Sequence, residues 1–277
     1  MRRVGTSELV FALVALVLCV TVPSATADPS LPTGSQDVEP LVTMEALGIS
    51  TARGVRLGLS YQVAPGWHIY WANPGDSGMA TSAEISPPPG WEAGPLLFPG
   101  PHIFTSEEIV SYGYAGDVVL FVDLIPSGIA ALDDVSITSR WLVCKEVCEP
   151  GSTTTTISLR NLPETQATFT ASMSLLPRAP QPDDRVEVLR SAAGFEVTVR
   201  GARQVTLFPT VELDLAMSGE RPPFFREEIV NSEATHRMRA TVSTQFAQTE
   251  LQGIARLEGE KGTTYLALRI PPTPKEP

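Results

Sequence analysis

The sequence is poor in cysteine and in positive charge, and each shortage limits what the protein can do. Lys and Arg number 20 against 31 Asp and Glu, which gives a formal net charge of -11. Phosphate binding needs clustered positive charge, so we expect no nucleic-acid partner. Only 3 cysteines are present, so any thiol chemistry is confined to a few positions. Hydrophobic residues make up 43% of the chain, which is enough for a packed core and too much for a disordered chain.

The chain also lacks a hydrophobic run long enough to span a bilayer comfortably. Its longest apolar run, residues 9–22, follows the basic Arg2 and Arg3 and precedes the small-x-small triplet 25–27. This order is typical of a secretory signal that is cleaved after residue 27, and an uncleaved anchor is the alternative. The prediction is a periplasmic or secreted protein with no stable membrane span after cleavage. Removing the net +1 of the signal leaves the mature chain near -12.

Removal of the signal also removes Cys19 and leaves Cys144 and Cys148, with three residues between them. A disulfide needs Cα atoms roughly 4.4–6.8 Å apart, whereas four steps along a strand cover about 13 Å. If the two cysteines pair, the chain must therefore curl between them, and we expect a tight turn at a strand end, with a further turn at 149–151. Such a short loop adds only about 2 kcal/mol of stability. The pair is a poor staple for a mature chain of this size, which leaves room for a redox role.

The spacing of the two cysteines leaves three hypotheses open. They are a redox-active disulfide, an inert loop disulfide, and a pair of thiolates that binds a soft metal such as Cu(I). The three histidines lack metal-ligand spacing, and the chain has neither a P-loop nor a G-x-G-x-x-G motif. The sequence therefore predicts no metal site of the zinc type and no cofactor.

Period-2 alternation dominates the hydrophobic pattern and predicts an all-β fold. Every odd position of the segment 55–63 is apolar, and Pro and Gly predict turns at 65–66 and 73–76. A single helix is predicted over 165–176, closed by Pro177. Further strands are predicted at 67–71, 118–124, 135–143, 153–159, 186–189, 195–199, 205–208, 211–216, 236–242, 251–257 and 264–270.

Three prolines in 177–184 predict a semi-rigid linker between two β-sandwich domains. The predicted boundaries are a signal at 1–27, a first domain at 28–176, a linker at 177–184 and a second, smaller β domain at 185–270. The proline-rich tail 271–277 is predicted to be disordered.

Three segments together resemble a known family. They are GWHIYWANPGDSG at 66–78, SYGYAGDVVL at 111–120 and WLVCKEVCEP at 141–150. In this order they are similar to the periplasmic N-terminal region of DsbD-type thiol:disulfide interchange proteins, especially the ScsB-like branch. The resemblance covers most of residues 38–160 and, more loosely, the second domain through 204–209. It does not extend to the family's membrane and thioredoxin-like domains.

The resemblance implies an immunoglobulin-like sandwich with one redox-active pair, Cys144 and Cys148. In the DsbD branch the second cysteine attacks partners, which assigns the exchanging sulfur to Cys148. That branch covers its cysteines with an aromatic cap loop. The implied counterpart is the loop 101–111, with Phe104 as the lid and Tyr70 as a second candidate for cap or partner contact.

The resemblance also implies partners. They are a separately encoded membrane electron transporter and thioredoxin-like periplasmic proteins or the cytochrome c maturation route. The implied activity is that of a protein-disulfide reductase or thiol-disulfide electron carrier. The alternatives are an immunoglobulin-like binding or scaffolding module with an inert disulfide, and a copper-handling protein.

Overall fold

The computed structural model describes residues 39–107, 109–163, 167–210, 226–229, 235–260 and 262–274, with backbone alone at 226–229. Residues 40–277 form one compact unit. The predicted signal and the predicted strand 211–216 lie outside the described residues, as does the end of the predicted tail. Within the described residues no helix is long and apolar enough to cross a membrane.

Among the described residues, the first part of the unit contains ten strands that form two antiparallel sheets. The strands are β1 (Val42–Thr51), β2 (Gly54–Val63), β3 (His68–Gly75), β4 (Ser82–Ser86), β5 (Trp91–Ala93), β6 (His102–Ser106), β7 (Ile109–Tyr114), β8 (Asp117–Pro126), β9 (Asp134–Cys144) and β10 (Cys148–Ser158). One sheet has the order β1-β2-β8-β5 and the other β10-β9-β3-β7-β6, with β4 paired to β9.

The alternation predicted for 55–63 places one face of β2 in the core between these sheets. Leu57, Leu59 and Tyr61 are each 0% exposed and pack with Ile137 and Trp141 of β9 in the facing sheet. Burial of apolar side chains from both sheets is the main force that holds a sandwich together.

A buried polar contact ties the two sheets together near β9. The hydroxyl groups of Tyr61 and Ser139 lie 2.6 Å apart, and Ser139 also donates to the carbonyl of Ser82. Burial raises the pKa of Tyr61 to about 12. The Tyr61 ring also meets Trp141 edge-on, at 5.8 Å between centroids. These contacts fix the position of the strand that ends at Cys144.

A short helix covers the opposite face of the first sheet. Within the described residues the helix α1 spans Ala167–Ser174, inside the predicted 165–176. Phe169 is 1% exposed and packs against Leu47, Val119 and Phe121. The central strands β2 and β8 are thus buried on both faces, which explains their nearly continuous burial.

The second part is a smaller pair of antiparallel sheets. Its strands are β11 (Val186–Ser191), β12 (Gly194–Arg200), β13 (Gln204–Pro209), β14 (Arg226–Ile229), β15 (Thr235–Thr241), β16 (Leu251–Gly259) and β17 (Gly262–Ile270). The sheets have the orders β11-β12-β15-β14 and β13-β16-β17. A separate apolar core that includes Val197, Leu207 and Leu266 lies between them. The all-β, immunoglobulin-like sandwich fold is confirmed.

The segment between the two parts is held by specific hydrogen bonds. The Arg178 amide donates to the Tyr265 carbonyl, and the Arg178 carbonyl accepts from Ala267. The Arg178 guanidinium makes two 2.7 Å bonds to Asp184, which closes a 3-10 turn at Pro182–Asp184. The division into two domains at 177–184 stays a prediction.

Candidate functional site

Cys144 and Cys148 close a hairpin between β9 and β10. Cys144 ends β9, Cys148 begins β10, and the two residues lie directly opposite each other in the ladder. They form a disulfide, with Cα atoms 4.1 Å apart. The Lys145 amide donates to the Val147 carbonyl and closes the three-residue turn. The predicted tight turn at a strand end is therefore present.

The predicted turn at 149–151 is wrong, because β10 runs straight through these residues. Pro150 is opposite Leu142, and β10 is the edge strand of its sheet. An edge strand tolerates proline because one side of its backbone has no partner to receive an amide hydrogen bond.

The two cysteines differ sharply in exposure. Cys144 is 2% exposed, whereas Cys148 is an exposed residue at the tip of the sheet. Disulfide exchange requires an attacking sulfur to approach the bond in line, so access decides which sulfur reacts. The geometry gives a partner protein access to Cys148 rather than to Cys144.

A row of aromatic side chains leads away from the disulfide on the same face of the sheet. His68 of β3 lies directly opposite Cys144, on the side away from Cys148. The Phe104 ring stacks flat on the His68 imidazole, with 4.4 Å between centroids and a 12° interplanar angle. The predicted lid therefore contacts the histidine that neighbours the buried cysteine. The segment 101–111, predicted as a loop, is largely the hairpin β6–β7.

Tyr70 packs against this row through its contact with His68. It meets His68 edge-on at 5.1 Å, and it is only 2% exposed. A Cβ atom at Gly78 would overlap the Tyr70 ring, so glycine lets the chain after β3 pass closely over the tyrosine. Burial raises the pKa of Tyr70. The predicted turn at 73–76 is instead the irregular end of β3, where the pairing with β7 shifts register.

Lys145 belongs to the hairpin turn, and the imidazole beside Cys144 is half-buried. A Cβ at Gly66 would lie 3.6 Å from Cε and 3.7 Å from Nζ of Lys145, which places that side chain over the turn before β3. A nearby positive charge favours a thiolate. Burial lowers the pKa of His68, and its Nε2 atom is buried without a hydrogen-bond partner.

The structure thus brings the four sequence-predicted residues, Cys144, Cys148, Phe104 and Tyr70, to one face of one sheet. The sequence assigns no role to His68. The local signal for it is weak because its importance comes from the register of β3 on β9. Among the described residues no group of three His, Cys, Asp or Glu is placed to hold a metal ion.

Comparison with known proteins matches part of the chain to a family. Residues 37–159 match the family model of the N-terminal domain of the thiol:disulfide interchange protein DsbD. No curated protein matches the chain.

Two solved structures are similar. The N-terminal periplasmic domain of ScsB from Proteus mirabilis has a TM-score of 0.59 at 14% identity, covering 84% of this chain and 95% of that one. The reduced N-terminal domain of DsbD from Neisseria meningitidis has a TM-score of 0.30 at 19% identity, covering 44% of this chain and 90% of that one. The ScsB likeness shows the fold, and its coverage requires both β parts of this chain.

Proposed function

Because residues 37–159 match the family model of the DsbD N-terminal domain, we propose that this chain is an exported thiol-disulfide interchange protein. It passes electrons through Cys144 and Cys148 between a membrane reductase and periplasmic thiol proteins or cytochrome c maturation. The observation that carries the proposal is the disulfide at the hairpin tip of this domain, with one sulfur-bearing residue buried and the other exposed.

The position of the disulfide supports a role in thiol-disulfide exchange rather than in structural cross-linking. The β9–β10 ladder already holds Cys144 opposite Cys148. A bond that closes so short a loop adds only about 2 kcal/mol. The stability of the two sandwiches depends on their apolar cores, so the bond can open and close while the fold persists.

The exchange balances as a two-electron transfer. In the reduced protein the Cys148 thiolate attacks a partner disulfide, forms a mixed disulfide and releases one partner thiolate, which takes up a proton. Cys144 then attacks the Cys148 sulfur, restores the intramolecular disulfide and releases the second partner thiol. The chain is oxidised and the partner reduced. A membrane reductase reverses the change with two electrons and two protons.

The proposed partners follow from the same premise. The ScsB domain that shares this fold is described as periplasmic, which agrees with the predicted signal at 1–27. We propose thioredoxin-like periplasmic proteins as electron acceptors and a membrane electron transporter as the donor.

Trapping of mixed disulfides tests the proposal. Reduced Cys144→Ser and Cys148→Ser variants are mixed with an oxidised thioredoxin-fold protein, and adducts are read on a non-reducing gel. Cys144→Ser should accumulate an adduct through Cys148, because the resolving thiol is gone. Cys148→Ser should trap much less, because Cys144 is buried.

Other outcomes would reject parts of the proposal. Equal trapping by both variants would remove the assignment of Cys148. No trapping, combined with a reduction potential below about −300 mV, would indicate an inert structural disulfide. Stoichiometric Cu(I) binding by the reduced protein without trapping would favour copper handling.

A further inference from the structure

Near the disulfide, the Nε2 atom of His68 is a buried polar atom whose burial the exchange steps above do not explain. It is buried, and it has no hydrogen-bond partner in this oxidised form. Leaving a buried polar atom unpaired is unfavourable, because the atom loses its hydrogen bonds to water, so such an atom calls for an explanation.

The register of the sheet places this imidazole beside the buried sulfur. His68 lies directly opposite Cys144, and Cys144 lies directly opposite Cys148. Residues paired in this way project on one face, with Cβ atoms roughly 4.5–5.5 Å apart. The three side chains therefore form a row across β3, β9 and β10, with Cys144 in the middle.

Reduction creates the donor that the imidazole lacks. In the disulfide neither sulfur carries a proton, so Cys144 has nothing to donate. In the dithiol form the Cys144 thiol gains an S–H group, and a neutral imidazole nitrogen is a suitable acceptor. The unpaired Nε2 of the oxidised protein is thus matched to a group that exists only in the reduced protein.

We propose that His68 Nε2 accepts a hydrogen bond from the Cys144 thiol and takes its proton when Cys144 resolves the mixed disulfide at Cys148. This inference rests on the proposed function and names the base for its second step. The Cys144–Cys148 bond forms and the Cys148–partner bond breaks. The proton passes from Cys144 to Nε2, and the departing partner thiolate is protonated from His68 or solvent.

The side chains that face His68 keep its ring neutral and fixed. Tyr70 meets it from the same strand, and burial raises the pKa of that phenol, so it carries no charge at neutral pH. Phe104 of β6 covers the other side with an apolar ring. His102, on the same face of β6, has its own pKa lowered by burial and by Arg256.

A cation of the hairpin turn also favours the proposed direction of proton transfer. Lys145 lies over Gly66, two residues before His68, and its ammonium favours a thiolate at the pair. Burial lowers the pKa of His68, so the imidazole is neutral and able to accept a proton near pH 7.

A two-phase reaction with a chromogenic aromatic disulfide tests the inference. Every protein is the full chain with Cys19→Ser, so that Cys144 and Cys148 are its only thiols. The reduced protein is mixed with one equivalent of reagent. The first aryl thiolate released reports attack by Cys148, and the second reports resolution by Cys144.

We expect His68→Phe, which keeps an aromatic ring against Phe104, to leave the first phase unchanged. Its second phase should slow by roughly 100-fold or more near neutral pH, in line with loss of a general base. The wild-type second phase should accelerate as pH rises through the lowered pKa of His68, and the variant should lack this inflection. His68→Gln keeps an acceptor that does not titrate, so it should also lack the inflection.

His102→Phe is the matched control, because it lies on the same face but is not opposite a cysteine. It should leave both phases unchanged. If His68→Phe does not fold, the pH profile of His68→Gln decides. A second phase with wild-type rate and inflection in the His68 variants overturns this inference alone. Absence of the first phase in the wild-type protein overturns the proposed function instead.

Discussion

Phe104 is the residue whose ring closes the row beside the disulfide. It stacks on His68, which neighbours the buried Cys144. Removing the ring in Phe104→Ala should open one side of this row to solvent. We expect small alkylating agents to modify the reduced protein severalfold faster, with the fold retained. Mass spectrometry of iodoacetamide-treated protein measures the rate at each cysteine.

Ile103 supplies the control for this prediction. It precedes Phe104 on β6, points to the opposite face of the sheet and is 43% exposed. Ile103→Ala should leave the alkylation rate unchanged. Equal acceleration in both variants would show that the hairpin as a whole, rather than the Phe104 ring, limits access.

Among the individual residues of the site, the sequence predicted the cysteine pair but did not predict the contribution of His68. Cys144 and Cys148 stand close together in the chain, so their spacing alone predicts a turn. His68 reaches Cys144 through a pairing of β3 with β9 that no local pattern encodes. The likeness to a family supplied Phe104, although its contact with an imidazole was not predicted.

The packing of helix α1 against the first sheet depends on Gly58 of β2. A Cβ at Gly58 would lie 2.5 Å from Cε2 of Phe169 and 2.8 Å from Cγ1 of Val119. Gly58→Ala therefore has to displace a fully buried ring. We expect the free energy of unfolding to fall by about 1–3 kcal/mol, the usual cost of overpacking. Denaturant unfolding measures the change.

Two further variants separate overpacking from the general effect of alanine in a strand. Gly259 of β16 has no atom within 4 Å of a built Cβ, so Gly259→Ala should change stability little. Adding Phe169→Leu to Gly58→Ala should recover part of the loss relative to the sum of the single changes. Strict additivity would contradict the proposed clash.

Strands with clear alternation were the predictable elements, and irregular ones were not. Alternation located β2 because its core face is apolar, whereas its other face, which meets helix α1 at Gly58, carries small or polar residues. β1 shows no strict alternation in its burial and was not predicted. The hairpin β6–β7 is mostly exposed along β6, so it resembled a loop in the sequence.

The sheet β13-β16-β17, which joins the two β parts, has two buried faces. One face packs in the second core, as Leu207 does. From the other face Phe208, 0% exposed, meets Trp71 and Tyr112 of the first part at 6.3 and 5.6 Å between ring centroids. The Asn73 side chain also donates to the Pro209 carbonyl at 2.9 Å.

These contacts explain why the sequence could predict two β parts but not how they combine. Proline content predicts the change of sheet near 177–184, and the strand patterns on both sides are regular. The pattern of β13 shows that Leu207 and Phe208 are both apolar. It does not show that each faces a different core, because a strand buried on both faces gives one continuous apolar run.

The contact between the two β parts should persist after the chain between them is cut. A protease site inserted after Pro180, in the exposed stretch 179–183, allows the chain to be cut between the sandwiches. We expect the fragments to remain associated in size-exclusion chromatography, because Phe208 and its aromatic neighbours stay buried together. Phe208→Ala, at a typical cost of about 3–5 kcal/mol for a buried aromatic, should let the cut fragments separate. Leu189→Ala, at a side chain that is 61% exposed, should not. Wild-type fragments that separate at once and remain folded would instead show two independent domains.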